Sequence, residues 1–353
     1  MGLLQKLEVI FTAMRINKNI KIFINYFLGP LLFLWLCFSI YKQVMVQPHL
    51  EDSWRHIYEV IHSPRIIYLF IVLALMLVNW GLEAAKWKLS VADIYPLRFL
   101  QAFKAVLSGV SVSVMLPNRV GEYLGRMMYL PEGKRLKVIA VTLIGSFSQL
   151  LVTFIAGAIG LLLLKDELIA ASLINPVIYM PLWVGLVLVI LTLTLFYFNL
   201  SRLEKWLETV VRLRSWLYLI QAVQRFGRKR LSWLLLLSAV RYCTFVVQYI
   251  LLFQLFNVEI PATTLFWIMS LVFLALAVIP TLAVVVEFGV RGEVCLQLAG
   301  LFTANSLGIV LTSATMWLVN LIIPALIGSL LILSIKIFKR SENAYPQEDV
   351  IDK

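Results

Sequence analysis

The stretch Leu116-Pro-Asn-Arg-Val-Gly-Glu-Tyr-Leu-Gly-Arg126 places two arginines and a glutamate between hydrophobic segments. If a helix begins after the proline, with the asparagine as its cap, then Arg119, Glu122 and Arg126 share one face. The two glycines keep that face free of bulk, and the helix end offers unpaired N–H groups to an anion. We interpret the stretch as half of a binding site, and the alternative is an ordinary positively charged cytoplasmic loop.

A second polar stretch lies in a similar setting further along the chain. It reads Glu287-Phe-Gly-Val-Arg-Gly-Glu293, and its charged residues are Glu287, Arg291 and Glu293. Charged side chains are costly inside a membrane and usually mark a functional site. We therefore interpret the two polar stretches as halves of one site.

Composition places the chain among membrane proteins. Hydrophobic residues make up 61% of its 353 residues, and several runs reach the roughly 20 apolar residues that cross a bilayer. The net charge of +12 is expected to set topology and to contact anionic headgroups, so nucleic acid is not expected as a partner. The cysteines and histidines show no spacing typical of a metal site or a disulfide framework, and no metal or cofactor is expected.

The first two predicted spans set the orientation and supply two candidate site residues. Basic residues before the span Ile22–Tyr41 place the amino terminus in the cytoplasm. The second span, about Arg65–Trp87, carries Asn79 and Glu83 on one stripe, and an intramembrane carboxylate usually faces a bundle interior or a cavity. Lys86, one turn further on, either neutralises Glu83 or has a functional role.

The segment after the second span is too short to cross the bilayer. Residues 97–108 are predicted to form a short helix, and the apolar stretch Ala105–Leu116 has only about twelve residues. Because Pro117 and a charged helix follow, this segment predicts a re-entrant hairpin that enters from the cytoplasmic side. A third span is expected at Val138–Leu164 and a fourth at Pro176–Leu200.

The connection at residues 201–230 is the strongest topology signal. It holds eight basic side chains against two glutamates, with tryptophans and leucines between them. Such a segment is expected to lie as an amphipathic helix on the anionic inner leaflet. Both termini of this multi-pass protein are then expected on the cytoplasmic side of the cell membrane, with residues 341–353 as a disordered polar tail.

The rest of the chain repeats the order of the first part. A fifth span begins at Leu231 and contains Arg241, which needs a partner at that depth. An apolar stretch then runs to Ile279 and is followed by the second polar stretch. The last span covers Ser306–Lys336, with Asn320 inside it.

This order predicts an all-α polytopic membrane protein with an inverted repeat. Residues 20–164 and residues 176–336 each read span, span, broken hairpin, span, within one membrane domain at residues 1–340. Three crossings in the first half turn the second half upside down, as in transporters whose broken helices meet at the midplane. If the second hairpin crosses the bilayer fully, the count rises from about six to eight transmembrane helices, and loop charge does not separate the two counts.

These two polar stretches resemble the lysylphosphatidylglycerol synthase transmembrane family, also called the flippase-like membrane domain family. Pro117–Glu122 with Arg126 is similar to that family's proline, arginine, glycine-glutamate and arginine pattern. Phe288–Glu293 is similar to its glycine-valine-arginine-glutamate pattern. The resemblance covers nearly the whole chain and implies lipid translocation. The soluble aminoacyl-transferring domain of the full synthase is expected to be absent, so lipid synthesis is not implied.

Three functions fit these observations. The first is a flippase that moves an anionic or headgroup-modified lipid, such as a phospholipid or a polyprenyl phosphate, between leaflets, because the planar fork of arginine suits phosphate. Its candidate substrate-binding residues are Asn79, Glu83, Arg119, Glu122, Arg126, Arg241, Glu287, Arg291 and Glu293. The second is an intramembrane enzyme acting on a lipid phosphate, although the sequence offers no nucleophile and base at a workable spacing. The third is a noncatalytic subunit that places lipid for a partner lipid-modifying enzyme.

Overall fold

The computed structural model describes residues 58–60, 62–114, 120–131, 134–199, 226–279 and 284–342. For residues 120, 136, 284–288 and 333–342 it describes the backbone alone. All regular secondary structure in these parts is helical. The helices are α1 (Ile66–Val91), α2 (Phe99–Ser113), α3 (Val120–Met127), α4 (Arg135–Leu163), α5 (Lys165–Ala170), α6 (Pro176–Phe198), α7 (Arg228–Leu255), α8 (Ala262–Val278), α9 (Val284–Ala299), α10 (Ser306–Trp317) and α11 (Ile323–Glu342), with a π-helical turn (Leu318–Ile322) between the last two.

Five described segments are long and apolar enough to cross a bilayer. They are Ile66–Val91, Lys137–Leu163, Pro176–Phe198, Arg228–Leu255 and Ser306–Ile332. They match the predicted second, third, fourth, fifth and last spans, which confirms the all-α polytopic membrane fold. The predicted first span, at residues 22–41, lies outside the described residues.

The first hairpin is made of α2 and α3. Residues 99–113 form one continuous helix, so the predicted short helix and the apolar stretch after it are a single element. No proline interrupts this segment, and an isolated glycine does not end a helix. With 15 residues, α2 remains too short to cross a bilayer of ~30 Å at 1.5 Å per residue.

Glycines bring α3 back against α2 at backbone distance. A Cβ atom on Gly121 would lie 2.3 Å from the carbonyl oxygen of Val112, and one on Gly125 would lie 2.4 Å from that of Ser108. Any side chain at either position would collide with backbone, so the hairpin closes only because both residues are glycine. This contact fixes where α3 presents its charged side chains.

The second hairpin is made of α8 and α9. Helix α8 ends at Val278 and Ile279 has an extended backbone, so the helix ends where the predicted apolar stretch does; residues 280–283 lie outside the described residues, and α9 is described from Val284. The segment before the hairpin differs from expectation at one end. Arg228–Arg230, assigned from sequence to the amphipathic helix at 201–230, form the first turn of α7, because Gly227 has an extended backbone and starts the helix there. Residues 201–225 of that predicted helix are outside the described residues.

The hairpins pack in a crossed pattern: the hairpin of each predicted repeat, residues 20–164 and 176–336, contacts a helix of the other. Helix α2 packs against α11, and α8 packs against α4, so each hairpin lies on the last span of the other part. Each contact uses a glycine: a Cβ on Gly328 would lie 2.0 Å from the carbonyl oxygen of Leu107, and one on Gly160 would lie 3.0 Å from that of Trp267. Helices α1 and α7 form the most extensive contact between the two parts.

One ion pair fastens the α1–α7 contact at its end. Asp93, just after α1, accepts hydrogen bonds from both terminal nitrogens of Arg230 in the first turn of α7, and the Nη2–Oδ1 distance is 2.9 Å. The guanidinium also lies over the Phe226 ring, 5.2 Å from its centroid. This surface pair marks one end of the interface whose buried part holds the candidate site.

Candidate functional site

Helix α1 is mostly apolar but carries one buried polar stripe. Asn79, Glu83 and Lys86 follow one another at helical spacing, and all three are buried. Trp80 and Trp87 are buried beside them. Residues three and four apart share a helix face, so α1 turns amide, carboxylate and ammonium groups toward the same neighbours. The stripe therefore faces the bundle, as the sequence predicts for Asn79 and Glu83.

Glu83 is the centre of the site. Its Oε2 atom lies 2.8 Å from Lys86 Nζ and 3.0 Å from Arg241 Nη1, and its Oε1 atom lies 2.9 Å from Arg126 Nη2. The carboxylate is only 5% exposed. One buried anion thus pairs with cations from α1, α3 and α7 at the same time.

Arg126 reaches this centre from the first hairpin. It pairs with Glu122 one turn earlier on α3 as well as with Glu83, and its guanidinium lies 5.9 Å from the centroid of the Trp87 ring. The residue is 2% exposed. Within the described part of the chain, its buried Nε atom has no hydrogen-bond partner. A donor of the strongest kind is therefore left available inside the site.

Arg241 reaches the same centre from α7. Its Nη1 donates to Glu83 Oε2 at 3.0 Å, and its Nε donates to Asn79 Oδ1 at 2.9 Å. The guanidinium lies over two aromatic rings, 5.3 Å from the centroid of Trp80 and 5.4 Å from that of Phe245. The partner that an arginine at this depth requires is the α1 stripe of the other part of the chain.

An amide of the last span completes the group. Asn79 Nδ2 donates to Asn320 Oδ1 at 3.1 Å, and Asn320 Nδ2 approaches the Met316 sulfur at 3.3 Å. Asn320 lies at the centre of the π-helical turn Leu318–Ile322. Four helical segments, α1, α3, α7 and this turn, thus meet through buried polar side chains.

Comparison with known families agrees with this arrangement. A family model described as "Lysylphosphatidylglycerol synthase TM region" matches residues 27–328. The chain belongs to this family. Membership makes it a multi-pass membrane protein related to lipid modification or lipid flipping. A search of curated proteins finds no match.

The described charges of the site in this member of the lysylphosphatidylglycerol synthase transmembrane family do not balance. Three cations, Lys86, Arg126 and Arg241, stand against two carboxylates, Glu83 and Glu122, which leaves one net positive charge. In the parts of the chain that the structure describes, no three His, Cys, Asp or Glu side chains are grouped to hold a metal ion.

The other predicted site residues are outside the described parts or have described hydrogen bonds to residues other than Glu83. Arg119 is outside the described residues, as is the side chain of Glu287. The hydrogen bond described for Arg291 comes from Nη1 to Tyr249 Oη at 3.4 Å, on α7 two turns beyond Arg241. Glu293 is exposed and accepts a bond from Gln297 at 2.9 Å. The described contacts thus unite five predicted residues, Asn79, Glu83, Glu122, Arg126 and Arg241.

Two members of the site were not among the predicted binding residues. For Lys86 the sequence leaves open whether it only neutralises Glu83 or has a functional role, and its position shows that it shares Glu83 with two arginines. Asn320 was noted only as lying inside the last span. The signal for both was present, because a lysine and an amide inside long apolar segments usually face a polar partner.

Proposed function

We propose that this protein moves a lipid with a phosphate headgroup between the leaflets of the membrane and that the Glu83 site binds the phosphate. One observation carries the proposal: a single buried carboxylate, Glu83, is shared by three cations, and the five described charged side chains of the group, Glu83 included, sum to one net positive charge. A phosphodiester carries one negative charge, so its arrival would bring the group to neutrality. Guanidinium groups bind phosphate oxygens through paired, charge-assisted hydrogen bonds.

Exchange of carboxylate for phosphate gives the site a way to bind and release its ligand. The Glu122 side chain is 25% exposed, whereas Glu83 is 7% exposed at its side chain, so Glu122 is the acid that can leave Arg126 at lower cost. A phosphate would then accept a bond from the free Nε of Arg126, while Glu122 shifts from the guanidinium but stays within the group, so the group with its ligand is neutral. Return of Glu122 would expel the headgroup.

The crossed packing of the hairpins supports a two-part transport mechanism. The pairing of α2 with α11 and of α8 with α4 is what an inverted repeat produces when each hairpin lies on the other half. The site draws Glu83 and Arg126 from the first half and Arg241 from the second. Rocking of one half against the other would change the access of these charges to the two leaflets.

Two neighbouring lysines of α1 provide a matched test. Lys86 is 3% exposed and bonded to Glu83, whereas Lys88 is exposed on the same helix. Lys86→Met removes the net positive charge but leaves Glu83 paired with two arginines. A unit charge at about 4 Å contributes up to ~4 kcal/mol at an effective dielectric constant of ~20, so we expect at least a tenfold fall in transport. Lys88→Met should transport at the wild-type rate.

The assay is the transfer of labelled phosphatidylglycerol across the membrane of liposomes containing the purified protein, read by a membrane-impermeant quencher. Hydrolysis of the same lipid is measured in parallel. Transfer without hydrolysis, lost in Lys86→Met and retained in Lys88→Met, is the expected result. Hydrolysis by the wild type would favour the intramembrane enzyme. Equal transfer by both variants would remove the role given to the net charge.

A further inference from the structure

Asn320 occupies an unusual backbone position next to the site. The last span is α-helical on both sides of it, but residues Leu318–Ile322 form a π-helical turn with one extra residue. Such turns are rare in proteins, and those that occur are often at functional sites. The inserted residue weakens the regular hydrogen-bond ladder of the helix. Asn320 is buried at the middle of this turn and points its amide at Asn79.

The hydrogen bonds around Asn320 have a fixed direction. Arg241 Nε can only donate, so the Asn79 atom that faces it at 2.9 Å must be the oxygen. The other end of the Asn79 amide is then an NH₂ group, which needs an acceptor in a buried site. Asn320 Oδ1 supplies that acceptor at 3.1 Å. The bonds thus run from Arg241 to Asn79 and from Asn79 to Asn320, and each member orients the next.

We propose that Asn320 is a positioning residue that holds Arg241 in the orientation required to bind the lipid phosphate, acting through Asn79. This inference rests on the proposed function of the Glu83 site. Without the Asn320 oxygen, the Asn79 amide can turn and present its NH₂ group to Arg241, where a donor would meet a donor. Arg241 would then lose its bond to Asn79, one of the described contacts that set the plane of its guanidinium.

The Asn79–Asn320 bond also links the site to α10, the helix that packs against α9 of the second hairpin. The π-turn continues α10, which packs against α9, and α9 carries the second polar stretch. Movement of α10 relative to α1 would be transmitted to the plane of the Arg241 guanidinium through two amides. Asn320 thereby couples the geometry of the phosphate site to the arrangement of the two halves.

The matched control is a second buried amide between the same two helices. Gln248 lies on α7, is fully buried, and donates from Nε2 to the carbonyl oxygen of Val72 on α1 at 2.9 Å. It joins α7 to α1 as Arg241 does, but none of its described bonds reaches the ion cluster. Gln248→Leu therefore removes a buried interhelical amide bond of similar worth and leaves the positioning chain untouched.

The experiment measures binding of phosphatidic acid to the full-length protein in detergent, with diacylglycerol as the comparison lipid that lacks the phosphate. Wild type, Asn320→Leu, Asn79→Leu, the double variant Asn79→Leu/Asn320→Leu and Gln248→Leu are compared. Loss of one buried hydrogen bond corresponds to about tenfold in affinity, and we expect that loss for phosphatidic acid in both single asparagine variants. The double variant should lose no more than Asn79→Leu alone, because both act on one arginine. Gln248→Leu should keep the wild-type preference.

Each outcome decides between two failures. If the wild type shows no preference for phosphatidic acid over diacylglycerol, the proposed function fails and the positioning role fails with it. If the wild type shows the preference but Asn320→Leu keeps it, or the two asparagine losses add, only the positioning role is wrong. A loss in Gln248→Leu equal to that in Asn320→Leu would assign the effect to helix packing and overturn the proposal.

Discussion

Replacement of Glu83 by glutamine tests the centre of the site most directly. Glutamine keeps the shape of the side chain but removes the charge that three cations share. The net charge of the five described side chains, position 83 included, would rise from one positive charge to two. Its NH₂ group would also face at least one nitrogen that can only donate. The substitution therefore acts through charge and hydrogen bonding while the volume stays nearly constant.

The expected cost follows from the three short contacts. Glu83 oxygens lie 2.8, 2.9 and 3.0 Å from Lys86, Arg126 and Arg241 nitrogens, and the carboxylate is buried. Removal of one partner of a buried ion pair costs about 3–5 kcal/mol, because the remaining charge is left uncompensated. Such a loss lowers a melting temperature by an amount on the order of 5–10 °C in a protein of a few hundred residues. We expect Glu83→Gln to melt lower than the wild type by this amount.

Thermal melting of the purified protein in detergent is the assay, with two further variants. Glu83→Gln/Lys86→Met restores the original net charge, so it should recover more than half of the lost melting temperature. Glu293→Gln removes an exposed carboxylate on α9 and should change the free energy of unfolding by no more than about 0.5 kcal/mol, so its melting temperature should stay close to that of the wild type. The reasoning is refuted if Glu83→Gln melts with the wild type, or if the double variant is no more stable than Glu83→Gln.

Three other experiments address the hairpin, the packing and the topology. Glu122→Gln and Arg126→Gln should each abolish transport in liposomes. Only the arginine change should weaken binding of anionic lipid, because the glutamate change raises the local positive charge. Normal transport by both variants would leave the first polar stretch without a role. Gly328→Ala should lower the melting temperature strongly, since its Cβ would lie 2.0 Å from a carbonyl oxygen of α2, whereas Gly185→Ala has nothing within 4 Å and should melt with the wild type; equal melting would contradict the packing of α2 on α11. Ser215→Cys, with the native cysteines replaced, should resist membrane-impermeant thiol reagents in intact cells, because the basic connection is predicted to be cytoplasmic; labelling would reverse the topology.

Segment lengths could be predicted from the sequence because apolar run length is a one-dimensional property. The predicted second span, about Arg65–Trp87, corresponds to α1, and the predicted fourth span, Pro176–Leu200, corresponds to α6. Helix boundaries were less accurate at residues 97–116, where the sequence indicated two elements and the structure has one continuous helix. Which helices pack together could not be read, because periodicity identifies a buried face but not the helix that covers it. The inverted repeat stays a prediction that this packing supports.

The site could be predicted in part because charge inside a membrane is conspicuous. Asn79, Glu83 and Arg241 were candidates for that reason alone, and Arg241 bonds directly to both of the others. The assignment of Arg291 to the same site depends on two hairpin tips meeting at one point and stays a prediction, and its described hydrogen bond goes to Tyr249. Symmetry predicts approximate position, whereas hydrogen-bond partners depend on helix rotation and side-chain length, which the sequence does not reveal.

The crossed packing has a consequence for the order of assembly during synthesis. Helix α2 is covered by α11, and Leu107 precedes its contact residue Gly328 by more than half of the chain. At ribosomal rates of about 5–20 residues per second, the first hairpin waits on the order of 10–40 s for its cover. Four described charges of the first half, Glu83, Lys86, Glu122 and Arg126, cancel one another during that interval. Arg241 arrives later and brings the third cation to Glu83, so the described site is complete only when the two halves join.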